Sequence, residues 1–111
     1  MAIKDWKIEQ LTGYKPHKSF YVELSMAEPF GISAIANTYD RLFVENRHDP
    51  IFITELSMAV NWKVYEHYDK EKWICKLYQS MWEQIDNHCR QNLKGNDLEY
   101  YNKCISDYCN W

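Results

Sequence analysis

Glycine and proline are scarce in this chain, with three of each among 111 residues. That scarcity excludes a collagen-like repeat, a linker or a disordered tail, because five Trp, nine Tyr and four Phe provide ample apolar surface to offset the entropy of ordering. Long apolar runs are missing too. Stretches such as Ile51-Phe52-Ile53 and Met58-Ala59-Val60 reach about three residues, against the roughly 20 that span a bilayer, so no membrane helix is expected. Nor does one sign of charge dominate. Thirteen Lys and Arg against sixteen Asp and Glu leave a formal net charge of -3, which argues against a nucleic-acid coat or a polybasic membrane anchor and leaves only a local basic patch open. Three isolated glycines cannot build a phosphate cradle, and neither G-x-S-x-G, a P-loop nor G-x-G-x-x-G occurs. The expectation is a single domain without catalytic machinery.

The opening residues Met1 to Trp6 carry no apolar h-region, which points to a reducing cytosol and to free thiols for the four cysteines. Residues 1–24 are the least regular part, since Gly13, Pro16 and the cluster Lys15, His17 and Lys18 interrupt any helical period. Trp6, Ile8, Leu11, Tyr14, Phe20 and Tyr21 give this stretch enough apolar surface to dock, so it reads as an irregular N-terminal arm, with room for a short helix or strand. Residues 25–111 read as an all-α, small antiparallel bundle of about four helices joined by short connections.

The first helix is expected from about Met26, with Ser25 and Glu28 in capping-box spacing and Pro29 in the first turn. Along it Ile32, Ile35, Tyr39, Leu42 and Phe43 gather into an arc of about 100°, a core face. Asp49-Pro50 reads as N-cap and first residue of a second helix running to about Tyr68. The third, from about Lys70 to Lys94, aligns Ile74, Leu77, Tyr78, Met81, Trp82, Ile85 and Cys89, and Gly95 reads as its left-handed terminator. Asn96 with Glu99, or Asp97 directly, caps a final helix that aligns Leu98, Tyr101, Ile105 and Tyr108.

Metal chemistry finds weak support. Cys75 and Cys89 lie 14 positions apart on one helix, about 21 Å at 1.5 Å per residue, and cannot share an ion or a disulfide. A hairpin about Gly95 would bring Cys89 level with Cys104, with His88 or Cys109 near, yet no C-x-x-C is present and apolar faces commonly bury thiols as small hydrophobes. No metal and no cofactor is therefore expected. A di-iron site fails as well, because Glu45-x-x-His48 has no second Glu-x-x-His pair. His88, within an apolar arc, reads as a hydrogen-bonded core histidine. Lys70, Lys72 and Lys76 are interleaved with Asp69 and Glu71 and read as a solvated helix start.

The second helix is apolar on two sides. Phe52, Ile53, Leu56, Ala59, Val60 and Val64 form a core face, and Ile51, Met58, Trp62 and Tyr65 form another stripe roughly opposite, bordered by Glu55 and Glu66. Such a helix is either central in the domain or presents a patch to a partner. In the second case the aromatic centre and acidic edge fit a partner with a basic surface; in the first, the N-terminal arm covers the stripe.

The strings Leu11-Thr12-Gly13-Tyr14-Lys15-Pro16, Phe30-Gly31-Ile32-x-Ala34-Ile35-x-x-Thr38-Tyr39-x-Arg41, Thr54-Glu55-Leu56-x-Met58-x-x-Asn61-Trp62-Lys63 and Asn92-Leu93-Lys94-Gly95 resemble a family of small proteins encoded by phages and mobile elements of Firmicutes. The resemblance covers most of the chain in order; none of the four cysteines belongs to the pattern. It implies an accessory protein in the cytosol of an infected or lysogenic bacterium. By analogy of class such a protein binds and inhibits a host defence complex, such as a CRISPR nuclease. The partner-binding residues expected on this reading are Ile51, Glu55, Met58, Trp62, Tyr65 and Glu66, with no membrane and no direct nucleic acid as partner. Two alternatives remain open: a metal- or small-ligand-binding helical protein, and a DNA-binding regulator.

Overall fold

The computed structural model describes residues 18–109, and the greater part of the expected N-terminal arm, residues 1–17, lies outside them. All regular structure among the described residues is helical. In chain order the elements are α1 (Lys18–Ala27), a 3-10 turn (Glu28–Phe30), α2 (Ile32–Asn46), α3 (Pro50–Glu66), α4 (Lys72–Asn92) and α5 (Gly95–Tyr108).

The all-α expectation holds, with five α-helices among the described residues where about four were expected. The difference arises at Ser25–Gly31. Ser25 does not cap a helix; it lies inside α1, and its buried Oγ has no hydrogen-bond partner. Pro29 sits in the first turn of the 3-10 segment, where its missing N–H leaves no bond unmade, and Gly31 then takes φ +96°. A side chain at that φ is strained, so the chain breaks there and α2 starts afresh at Ile32. This also corrects the expected core arc: Ile35, Tyr39 and Leu42 are buried, but Ile32, in the turn after the break, is exposed.

Asp49 is the N-cap of α3, its carboxylate accepting from the N–H groups of Ile51 at 3.0 Å and Phe52 at 3.1 Å. Residues Ile53, Thr54 and Leu56 to Lys63 of α3 are all buried. The cause is its position: α3 contacts each of α1, α2, α4 and α5, most extensively α4. A helix surrounded by four others is apolar all round because no broad face of it meets water. Of the two meanings of a doubly apolar helix, the central one applies. Phe52, expected on the core face, is 41% exposed near the start of α3, with the Phe20 ring of α1 packed edge-on at 6.3 Å.

The face expected on α4 is found with Ile74, Cys75, Tyr78, Met81, Ile85 and Cys89 buried and Leu77 and Trp82 half-buried. Gly95 has a positive φ of 54°, as expected, but α4 already ends at Asn92; Leu93 and Lys94 are extended, and Gly95 opens α5 without a side-chain cap. On α5 Tyr101 and Cys104 are buried, with Leu98 and Ile105 packed against the core. Full burial of a side chain such as Ile85 is worth about 1.5 to 3 kcal/mol. Ile85→Val should therefore lower the unfolding free energy by about 1 kcal/mol, measured by urea titration, and a silent substitution would mean that the face of α4 is rotated.

Candidate functional site

Lys63 is the fully buried cation of the core. A buried ammonium is tolerated only with partners, and α3 supplies one itself: Glu66, one turn on, places Oε2 3.4 Å from Nζ. The other comes from the 3-10 turn, where Glu28 Oε2 lies 2.9 Å from Nζ. The same Glu28 oxygen accepts from the Tyr78 hydroxyl at 2.8 Å and lies 3.2 Å from His67 Nε2. The Tyr21 hydroxyl donates to Glu66, and its ring lies 4.5 Å beneath Lys63 Nζ. His67 stacks on Tyr78 at 5.9 Å. One cluster thus joins α1, the turn, the end of α3 and α4. Burial, then the Glu28 carboxylate, push the Tyr78 phenol well above its usual range, so its proton stays in the bond to Glu28.

Glu28, Glu66 and His67 are also the described residues whose metal-ligating atoms come within 4.8 Å of one another. The Lys63 ammonium already sits 2.9 Å from Glu28 and 3.4 Å from Glu66 and supplies the counter-charge that a divalent ion would bring. The residues therefore fit an internal clasp better than a metal centre. Glu28, Lys63, His67 and Tyr78 were not expected as a group; the local signal was the i, i+3, i+4 spacing of Lys63, Glu66 and His67.

A second polar cluster ties α3, α4 and α5 together. Asp86 Oδ1 accepts from the Tyr101 hydroxyl at 2.5 Å, and because a carboxylate only accepts, Ser57 must donate to Tyr101 across their 2.9 Å contact. Arg90 Nε reaches both Asp86 oxygens at 3.2 and 3.0 Å, and its guanidinium donates to Asn102 at 2.9 Å. Ser57 is buried, and these bonds fasten three helices to one another.

Cys75, Cys89 and Cys104 are buried thiols and Cys109 is half-buried. Among the described residues, Cys89, Cys104, Cys109 and His88 do not form a set of three ligand atoms within 4.8 Å. His88 instead donates from Nε2 to the Arg47 carbonyl at 3.1 Å and packs its ring 5.0 Å from Phe43, so it is hydrogen-bonded as expected but half-buried at the surface and not in the core. Burial pushes the Cys89 thiol up to about 12. An acid whose folded pKa is raised stabilises the fold fully below the unfolded value near 8.5 and loses that contribution as pH climbs towards 12. Urea titrations should therefore show stability falling between about pH 8.5 and 10.5, and Cys89→Ala should make that slope shallower while Cys109 and the buried phenols, also raised, keep the rest. A flat profile in the unsubstituted protein would contradict the burial.

The expected partner stripe of α3 is not an open face. Met58 and Trp62 are only 2% and 3% exposed, Glu55, Tyr65 and Glu66 are half-buried, and of the six residues Ile51 alone is exposed. Trp62 stacks on Tyr65 at 6.1 Å. The reason is again the central place of α3, which leaves no side for a partner along its middle turns.

Open apolar surface lies elsewhere, around the break that the sequence reading missed. A groove between α1 and α2 is lined by Glu23, Met26, Ala27, Phe30, Ala34 and Thr38. Met26 is 67% exposed and Phe30 80%. Small side chains at Ala27, Ala34 and Thr38 line the groove between them, because α1 and α2 approach closely there. Glu23, which lines the groove, pairs with Arg41, and Arg41 also meets Glu45 at 3.3 Å. Compared with protein-family models, curated proteins and solved structures, the chain matches none.

Proposed function

We propose that this chain is a non-catalytic binding protein that docks on a partner protein through the α1–α2 groove, with Met26 and Phe30 as anchors. The observation that carries the reading is Phe30, a large aromatic left 80% exposed in a short turn beside an apolar groove. Folding gains little from a side chain so placed, whereas aromatic residues and Met are enriched at the centres of protein interfaces. Glu23, the carboxylate in the groove lining, and the net charge of -3 fit a partner with a basic surface, by complementary potential. The resemblance to small phage and mobile-element proteins supports a partner in host defence, of the CRISPR-nuclease kind, met in the bacterial cytosol. No described helix is long and apolar enough to cross a membrane. The antiparallel, up-and-down order of the helices belongs to the same proposal, supported by the short connections between α3, α4 and α5.

A plating assay tests the defence reading. In a bacterium whose CRISPR nuclease targets an infecting phage, expression of the unsubstituted chain should restore plaques, and Phe30→Asp should not. Plaques restored equally by both would remove the groove from the function, and none from either would remove the defence partner.

A further inference from the structure

The 3-10 turn that carries Phe30 has few anchors of its own. None of its three residues is fully buried; Pro29 and Phe30 are exposed, and the Gly31 N–H that ends the turn bonds back to Glu28 O at 3.1 Å. Such a turn, next to a glycine at φ +96°, has little burial energy to hold one conformation. The exception is Glu28. Its side chain points the opposite way from Phe30, into the Lys63 cluster, where one carboxylate oxygen meets an ammonium, a phenol hydroxyl and an imidazole nitrogen within 3.2 Å. The donors stand on helices: Lys63 fully buried in the last turn of α3, Tyr78 fully buried on α4, and His67 closing α3 with its N–H on the Lys63 carbonyl at 3.2 Å.

We infer that Glu28 is a positioning residue for the docking surface: held by Lys63, Tyr78 and His67, it locks the turn so that Phe30 stands beside the groove before any partner arrives. This inference rests on the proposed function for its purpose, but not for its mechanics. Holding a contact residue in its bound geometry removes an ordering cost from association, so the clasp would act on affinity without touching the partner. Charged clusters of this kind often add little net stability, which leaves conformational definition as the reason for keeping one at this site.

The test needs no partner for its first half. Amide hydrogen exchange at Gly31 and chymotryptic cleavage after Phe30 are measured in the unsubstituted protein, in Glu28→Gln and in the milder Tyr78→Phe, with the Ile85 amide of α4 as reference. Both variants should speed exchange at Gly31 and cleavage after Phe30 at least tenfold, while exchange at Ile85 stays within about threefold. A role confined to overall stability would move Gly31 and Ile85 together, and that result, or no change at Gly31 in either variant, overturns the inference. If Glu28→Gln does not fold, Tyr78→Phe decides alone. The second half separates the clasp from the docking reading. A turn freed in Glu28→Gln, combined with partner binding that Phe30→Asp leaves intact, would keep the clasp and reject the groove.

Discussion

Replacing Lys63 by alanine should lower the unfolding free energy by about 3 to 5 kcal/mol, the range expected when one partner of a buried ion pair is removed. Two terms add. The aliphatic stem leaves a void in the most enclosed helix of the protein. The carboxylates of Glu28 and Glu66, both half-buried, lose the ammonium that stands 2.9 and 3.4 Å away. Lys63→Met separates the terms, since it keeps most of the stem and removes only the charge. Equal losses in the two variants would assign the effect to electrostatics, and a loss confined to Lys63→Ala would assign it to packing. If both unfold within about 0.5 kcal/mol of the unsubstituted protein, as surface changes do, Lys63 is not a buried, paired charge.

The second large effect is on binding. Phe30→Asp should weaken partner association by at least 2 kcal/mol, about thirtyfold, because a hot-spot aromatic is lost and a charge is placed at the mouth of an apolar groove. The melting temperature should barely move, since Phe30 contributes little to the folded core. Met26→Asp should act in the same direction. Val44→Asp, on an exposed residue that does not line the groove, should leave binding unchanged. Loss of binding that follows loss of folding in each variant would make Phe30 a structural residue.

Much of the helical frame was legible in the sequence because its signals were local. Asp49-Pro50 announces α3, and the spacing of Ile74, Tyr78, Met81, Ile85 and Cys89 marks one face of α4. The break at Gly31 was not, since Ser25, Glu28 and Pro29 form a convincing helix start when tertiary contacts are unknown. In the structure Glu28 is drawn instead into the Lys63 cluster. The same limit hid the clasp. Lys63, Glu66 and His67 fall at positions i, i+3 and i+4 of α3, on one side of a helix otherwise apolar all round, and that was the available signal. Their partners Glu28 and Tyr78 are 35 residues before and 15 residues after Lys63, beyond any local pattern. The Trp62 stripe misled for a related reason: periodicity shows that a helix has two apolar sides, but not how many neighbours cover them.

Site-specific photo-crosslinking tests the docking surface most directly. Benzoylphenylalanine placed at position 30, and separately at the exposed Tyr68 outside the groove, is irradiated in cells of a host bacterium. Position 30 should give one discrete adduct to a host protein, which disappears when Met26→Asp is added, and position 68 should give none. Adducts from position 68 with none from position 30, or adducts at 30 that Met26→Asp leaves untouched, would contradict the assignment of the α1–α2 groove as the binding surface.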